Sequence, residues 1–229
     1  TDTALSIPRL GTGDVKYHVG AETWVRLPSG GKARVALIPN PSHLEFVNPV
    51  VVGVARAKQF SGPEKAHTQQ LDAVVPDIMH GDAAFAAEGI VAETLNLARL
   101  RGYSTGGTIH IITNNQVGFT AEAHEGRSTR YSSDLAKGYD IPIFHVNADD
   151  PEACLATVRL AMAYRARFHD DVVIDLVGYR RHGHNEGDEP SYTQPMQYQV
   201  IGAHPTVRDI WAKRLASEGI VSEEGAEII

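Results

Sequence analysis

The sequence lacks several features that would place it in a specialised class of protein. It has one cysteine, Cys154, among 229 residues, which excludes a disulfide within the chain and a zinc cluster built from thiolates. A single cysteine is consistent with a protein that resides in a reducing compartment. No apolar run approaches the roughly 20 residues that span a bilayer, and residues 1–3 show no signal-peptide pattern. We therefore expect no membrane among the partners of this chain.

Positive charge is also scarce. The 21 basic residues are outnumbered by 28 acidic ones, which gives a formal net charge of −7. The densest basic cluster, residues 180–184, is short, and acidic residues follow it at once. This balance argues against nucleic acid as a partner. The sequence also lacks both an initiator methionine and a P-loop string (G-x-x-x-x-G-K-[ST]), so we expect a piece of a longer protein without that nucleotide-binding motif.

The composition that remains is that of a globular α/β protein. Hydrophobic residues make up 42% of the chain and charged residues 21%, which is ordinary for a globular domain of this size. Short apolar segments alternate with helical patterns, so we predict a largely parallel sheet flanked by helices. Residues 1–33 are predicted as a loop-rich entry segment. The predicted strands are 32–38, 74–79, 108–113, 141–146 and 172–177, and the predicted helices begin near 48, 88, 150 and 205.

Three local signals sharpen this prediction. Asn48 is expected to cap the first helix, with a proline at the first helical position. Gly102 is expected to end the second helix in a left-handed conformation. Asp150 is expected to cap the third helix, again followed by proline. Residues 172–177 form an apolar run broken only by Asp175, and such a run is typical of a strand buried on both faces.

The stretch from His80 to Asn115 carries the clearest chemical pattern. One predicted strand ends in Gly81 and Asp82, and the next ends in two asparagines, of which Asn115 is the second. The carboxyl ends of parallel strands meet at one edge of a sheet, where ligands bind. Carboxylate and amide oxygens suit Mg²⁺, and the carbonyl of Val117 is placed to join them. A helix cap at Asp82 and a simple turn at Asn115 explain the spacing equally well.

Two histidine-containing segments also follow predicted strands. Residues 180–186 place His182 and His184 on either side of a glycine, a pair that could bind a carboxylate or supply a proton. A solvated polar loop is the simpler reading of that segment alone. A zinc hydrolase would need a third ligand that the spacing does not supply. Residues 40–45 contain Ser42 and His43 and are no more specific when taken singly.

Six segments of the sequence form a combined pattern: GDVKYH at 13–18, NPSHLE at 40–45, HGDAA at 80–84, NNQVGF at 114–119, PIFHVN at 142–147 and YRRHGHNE at 179–186. Taken together, they resemble the thiamine-diphosphate-dependent first component of 2-oxoglutarate dehydrogenase. The resemblance covers nearly the whole chain. Within that family it is close in style to the actinobacterial enzymes, which also act as 2-oxoglutarate decarboxylase and 2-hydroxy-3-oxoadipate synthase.

The resemblance implies a set of residues that hold the diphosphate end of the cofactor. Asp82, Asn115 and the carbonyl of Val117 would bind Mg²⁺. Ala83 and Ala84 would contact the diphosphate through their backbone, where the free N–H groups of a helix start favour an anion. Many thiamine enzymes have glycine at the position of Ala83, and the alanine is typical of this group.

The resemblance also implies residues on the thiamine and substrate side. Ser42 and Leu44 would contact the thiamine portion of the cofactor. His18, His43 and His184 resemble the histidines that hold the substrate carboxylates and assist proton transfers.

For the whole enzyme, the resemblance implies oxidative decarboxylation of 2-oxoglutarate with succinyl transfer to lipoamide. The partners would be 2-oxoglutarate, a lipoyl-bearing succinyltransferase component and a second copy in a homodimer. The compartment would be the bacterial cytoplasm, or the mitochondrial matrix in a eukaryote. The family activates the aminopyrimidine with a glutamate from a second α/β domain, which does not fit within 229 residues. We therefore expect residues 1–229 to be the diphosphate-binding domain alone, inactive in isolation.

Overall fold

A computed structural model describes residues 18–60, 68–222 and 224–225. The strands are β1 (Ala21–Arg26), β2 (Lys32–Leu37), β3 (Asp77–Gly81), β4 (Ile109–Asn114), β5 (Val117–Gly118), β6 (Ala121–Glu122), β7 (Ile143–Asn147) and β8 (Val172–Val177). The centre of the fold is a four-stranded parallel sheet in the order β3-β4-β8-β7, and two short antiparallel hairpins, β1-β2 and β5-β6, lie outside it. The predicted α/β class with a largely parallel sheet is confirmed.

Helices cover both faces of the central sheet. The 3-10 segments are Leu71–Ala73, Ser132–Tyr139 and Pro190–Tyr192. The α-helices are α1 (Asn48–Gln59), α2 (Asp82–Ala87), α3 (Gly89–Asn96), α4 (Ala123–Gly126), α5 (Pro151–Phe168), α6 (Pro195–Ala203) and α7 (Val207–Ser217).

Strand β8 lies in the middle of the sheet, between β4 and β7. Val172 and Val173 are fully buried, and they point into different cores because successive side chains of a strand alternate between faces. Val173 packs in one core with Phe85 of α2, whereas Val172 packs in the other with Ala161 of α5. The apolar run at 172–177 therefore correctly indicated a strand that is buried on both faces of the sheet.

The ends of α5 follow from local chemistry. The Asp150 side chain accepts a hydrogen bond from the Ala153 N–H at 3.0 Å, as predicted, and Pro151 occupies the first turn. The helix ends at His169, which adopts a left-handed conformation with φ of 53°. Thr206 caps α7 in the same way by accepting from the Asp209 N–H.

Two predicted helix signals are wrong. Asn48 is the first residue of α1 and not its cap, because its side-chain amide is drawn away to donate to Glu45 at 2.7 Å. Gly102 does not have a positive φ, and α3 ends earlier, at Asn96. The left-handed residues before β4 are Gly106 and Gly107, with φ of 68° and 99°.

The close approach at Gly107 leads to a prediction about stability. A Cβ atom there would lie 2.3 Å from the Asp170 carbonyl oxygen, in a backbone conformation that side chains disfavour. We expect Gly107→Ala to destabilise the domain by about 1–3 kcal/mol, measured by thermal unfolding of the full-length protein. Gly102→Ala is the matched control, since no atom lies within 4 Å of its added Cβ and its φ is ordinary. Equal melting temperatures for the two variants would contradict the assignment.

The entry segment is more ordered than predicted. Ala21–Arg26 forms β1, which pairs antiparallel with β2, whereas the loop prediction covered residues 1–33. The strand was missed because most of its side chains are exposed, and it therefore has no alternation between core and solvent. Residues 1–17 lie outside the described part of the chain. Among the described helices, none has the length and apolar character needed to cross a membrane.

Candidate active site

The carboxyl edge of the parallel sheet gathers the polar segments that the sequence places after strands. Asp82 follows β3 as the first residue of α2, and Asn115 follows β4. The chain after β8 is tied to the same edge by a hydrogen bond from the Gly178 N–H to the Asn114 carbonyl at 2.8 Å. A shallow depression of about 300 Å³ opens here, lined by Thr113, Asn114, Asn115, Ala148, Leu176, Gly178, Tyr179 and Arg180.

Asp82 is a buried carboxylate with little compensating charge. Its side chain is almost fully enclosed, and burial raises the pKa of its carboxyl above the usual range. The Arg127 guanidinium, 3.4 Å away, and the amide N–H groups of Asn115 and Ala83 act in the opposite direction on this pKa. A carboxylate in this setting is stabilised by a bound cation.

The turn after β4 lies directly on the first turn of α2. The Asn115 side-chain oxygen accepts from the Val117 N–H at 3.1 Å, which closes the turn. A Cβ atom on Gly118 would lie only 3.0 Å from the Cβ of Ala83. The structure thus brings Asp82, Asn115 and Val117 together, beside Ala83 and Ala84. A carboxylate, an amide oxygen and a backbone carbonyl form a donor set that fits Mg²⁺.

This cluster differs from a zinc site. In the described ranges, no group of three or more His, Cys, Asp or Glu side chains is placed to hold a metal ion. The hydrolase hypothesis, which would use His182 and His184, therefore gains no third ligand from these residues. The Asp82 cluster needs no such group, because two of its three donors are neutral oxygens.

The residues expected on the thiamine side lie on the loop before α1. The Ser42 hydroxyl is 3.4 Å from the Nε2 atom of His18. His43 is exposed, with its ring edge-on to Phe46, and Leu44 is 64% exposed. An apolar side chain so exposed is available to contact a ligand.

Glu45 ties this loop to the end of β3. Its carboxylate lies 2.6 Å from the Nδ1 atom of His80, which is two residues before Asp82 in the chain. The loop that bears Ser42 and His43 is thereby held at the same strand end as the proposed metal ligand.

His184 reaches the cluster by another route. Its ring packs edge-on against Phe119, with 5.1 Å between ring centroids, and Phe119 lies two residues beyond Val117. The His184 N–H donates to the Asp188 carboxylate at 2.9 Å, which fixes the loop after β8. The His-Gly-His segment therefore lies against the turn that follows Asn115.

Backbone strain is concentrated in these loops. Five non-glycine residues adopt a positive φ among the described residues, and three of them, Glu45, Gln116 and Phe119, belong to the loops of the candidate site. Such conformations cost about 1–3 kcal/mol each and persist where surrounding contacts enforce them, commonly at functional sites.

Several polar residues at the site were not predicted from the sequence. Arg127 pairs with Asp82 across 45 positions of the chain, so no local pattern could reveal the contact. Asp175 is fully buried and accepts from the Asn114 side chain at 2.9 Å, and His145 Nδ1 lies 2.9 Å from its other oxygen. An aspartate within the apolar run of β8 was the available signal, because a buried carboxylate needs partners.

The fold and the site together define a class of protein. A parallel α/β domain carries, at the carboxyl edge of its sheet, a buried carboxylate and an amide side chain beside the start of a helix, and this edge is where α/β domains bind their ligands. The chain belongs to the dehydrogenase E1 component family, whose model matches residues 10–229.

Individual relatives are similar over most of the chain. It is 58% identical to the 2-oxoglutarate dehydrogenase E1 component of Bacillus velezensis over 219 residues, which is 95% of this chain and 23% of that protein. It is 57% identical to the protein of the same name in Bacillus subtilis, over 93% of this chain and 23% of the relative. The chain thus spans a little under a quarter of the length of the curated relatives it matches.

Proposed function

We propose that this chain is the magnesium- and thiamine-diphosphate-binding domain of a 2-oxoglutarate dehydrogenase E1 component. The observation that carries the proposal is the cluster of Asp82, Asn115 and Val117 on the first turn of α2. The similarity to proteins named 2-oxoglutarate dehydrogenase E1 component supports the choice of substrate.

In the proposed complex, each residue of the cluster has a distinct task. Asp82 supplies the negative charge that a divalent cation requires, and Asn115 and Val117 supply neutral oxygens. The N–H groups of Ala83 and Ala84 face the diphosphate at the start of α2. Mg²⁺ would replace the weak compensation that Arg127 gives to Asp82, since the guanidinium is 3.4 Å from the carboxylate.

The histidines would act on the substrate side. When bound, thiamine diphosphate supplies the electron sink that the decarboxylation of a 2-oxo acid needs. His43 and His184 have exposed side chains, so both are accessible to a bound substrate, and imidazole groups serve as general acids or bases and bind carboxylates. Ser42 and Leu44 would orient the cofactor, and His18 would act beside Ser42.

The domain is proposed to act as part of a larger assembly. A second α/β domain would supply the glutamate that activates the aminopyrimidine, with the site completed in a homodimer. The succinyl group would pass to lipoamide on a succinyltransferase component. Release by protonation or condensation with glyoxylate are the additional activities that the actinobacterial resemblance suggests. The proposed compartment is the cytoplasm of a bacterium, or the mitochondrial matrix in a eukaryote.

A Mg-nucleotide-binding regulatory module is the alternative function. It shares the expectation of a divalent cation at a helix start, but the sequence has no P-loop to hold the nucleotide phosphates. No feature of the described residues favours it over the thiamine cofactor.

A binding experiment with the full-length protein separates the two functions. We expect thiamine diphosphate to bind only in the presence of Mg²⁺, and ATP with Mg²⁺ not to bind, in isothermal titration calorimetry. The loaded protein should release carbon dioxide from 2-oxoglutarate. Binding of ATP without binding of thiamine diphosphate would reverse the assignment.

A further inference from the structure

Four buried ionisable side chains form a continuous chain through the central sheet. Glu45 Oε2 lies 2.6 Å from His80 Nδ1, and His80 Nε2 lies 3.0 Å from His110 Nδ1. The Nε2 atom of His110 is then 3.2 Å from Asp171 Oδ2. No member is more than 8% exposed. None of these contacts is needed to close a helix or pair a strand, so the chain calls for a separate explanation.

This hydrogen-bonded row of four side chains connects the two edges of the sheet. Glu45 lies in the loop before α1, at the carboxyl edge, and Asp171 immediately precedes β8, at the amino edge. Asp171 is fixed there because its other oxygen accepts from the Thr108 N–H at 2.7 Å, just ahead of β4. His80 and His110 bridge the interval from the neighbouring strands β3 and β4. The position of Glu45 therefore depends on an anchor at the far side of the fold.

Glu45 needs such an anchor. Its backbone is left-handed, with φ of 69°, a conformation that costs free energy for a residue with a side chain. Its side chain is only 4% exposed, although a glutamate in a surface loop gains hydration by turning outward. The contacts that hold it inward are the bond from the Asn48 side chain at 2.7 Å and the contact with His80.

We propose that Glu45, His80, His110 and Asp171 are positioning residues that fix the loop bearing Ser42, His43 and Leu44 against the end of β3. The proposal rests on the proposed function for the identity of the cofactor and substrate that this loop meets. None of the four residues is assigned contact with the reacting atoms; they act through the loop.

The arrangement of donors in the chain provides a conservative variant. Both ends are carboxylates, which accept, so three hydrogen bonds require three protons on the two rings, one more than two neutral imidazoles carry. The amide introduced by Asp171→Asn can donate to His110 and still accept from the Thr108 N–H. All three bonds are then satisfied by neutral rings. Asp171→Leu, which has the same number and branching of side-chain atoms but is bulkier, offers neither function.

The experiment compares these variants in the full-length protein. Hydrogen–deuterium exchange of residues 41–47 reports on the loop, and kcat, KM for 2-oxoglutarate and Kd for thiamine diphosphate with Mg²⁺ report on the site. For Asp171→Leu we expect about tenfold faster exchange of the loop amides and a kcat lowered about 10- to 100-fold, with a smaller change in Kd. Asp171→Asn should restore both exchange and kcat.

Asp170→Leu is the matched control. It removes the neighbouring carboxylate, which pairs with Arg99 and accepts from the Asp171 N–H, but it leaves the chain of four residues intact. We expect its loop exchange and kcat to equal those of the unmodified protein. If kcat falls and loop exchange rises in Asp170→Leu as much as in Asp171→Leu, the effect comes from disturbing the turn at residues 170–171 and not from the hydrogen bond to His110. That result would overturn the proposal.

A second variant guards against misfolding. Should Asp171→Leu not fold, Glu45→Ala removes the opposite end of the chain, close to the surface, and should loosen the same loop. Unchanged exchange in Glu45→Ala would overturn the proposal. Hydrogen–deuterium exchange of the loop can be measured without enzyme activity, so the proposed function and the proposed positioning role can fail separately. If the loop loosens in the variants but the unmodified protein does not bind thiamine diphosphate, the proposed function is refuted. If the unmodified protein binds the cofactor tightly but loop exchange is unchanged in the variants, the positioning role of the four residues is refuted.

Discussion

Asp82→Ala is expected to abolish the magnesium-dependent binding of thiamine diphosphate to the full-length protein. Asp82 supplies the only formal negative charge in the set of Asp82, Asn115 and Val117. The substitution would also leave the Arg127 guanidinium, now 3.4 Å from that carboxylate, without its counter-charge beside the metal position. We expect affinity to fall by more than about 100-fold, since even partners that only orient a metal ligand contribute 10–100-fold. Isothermal titration calorimetry at fixed Mg²⁺ measures the change.

Asp77→Ala is the control for this variant. Asp77 lies on the same strand, β3, but at its opposite end, and its side chain is exposed. The comparison therefore tests whether the position of the carboxylate on β3, rather than the loss of any one carboxylate from this strand, decides cofactor binding. We expect normal cofactor binding in Asp77→Ala. Unchanged affinity in Asp82→Ala would refute the metal site and, with it, the proposed function.

His184→Ala should lower turnover on 2-oxoglutarate while leaving cofactor binding largely intact. His184 contacts Phe119 through its ring and Asp188 through its backbone N–H, and neither residue belongs to the proposed metal set. Loss of a general acid or base lowers kcat by about 100-fold or more. Steady-state kinetics gives kcat and KM, and calorimetry gives the affinity for the cofactor.

His182→Ala tests whether the effect is specific to one ring. His182 is also exposed and lies two positions earlier in the same loop, but no hydrogen bond or ring contact among the described residues places it against the turn that follows Asn115. We expect turnover within about threefold of the unmodified protein, as for surface substitutions away from a site. Loss of cofactor binding in His184→Ala would instead assign the His-Gly-His segment to the cofactor.

The sequence predicted the architecture well because the relevant signals are local. The apolar run at 172–177 marked β8 as a strand buried on both faces, and the Asp-Pro-Glu start marked the beginning of α5. The ends of β3 and β4 placed Asp82 and Asn115 at one edge, since strands joined by a helical crossover run parallel. The helix near 88 was predicted only in part, because the segment from 82 to 96 divides into α2 and α3 at Glu88.

Other features had no local signal. The expected left-handed Gly102 is ordinary, and the conformation is required instead at Gly107, where the backbone approaches Asp170, 63 positions away. Asn48 carries an ideal capping side chain, yet the buried carboxylate of Glu45 competes for it. The exposed strand β1 was missed because alternation appears only where one face of a strand is buried.

By itself, the sequence determined the class of fold and the strand ends at which the polar segments emerge, and it predicted Asp82 and Asn115 as ligands for Mg²⁺. These predictions depend on the periodicity of apolar residues and on the geometry of parallel strands, and both can be recognised from residues that are close together in the sequence. Only the tertiary structure decided which side chains meet: Arg127 with Asp82, His184 with Phe119, and Glu45 with His80, His110 and Asp171. These contacts join residues that are distant in sequence, and for the buried groups among them the reason is that a buried charge needs a partner wherever the fold brings one.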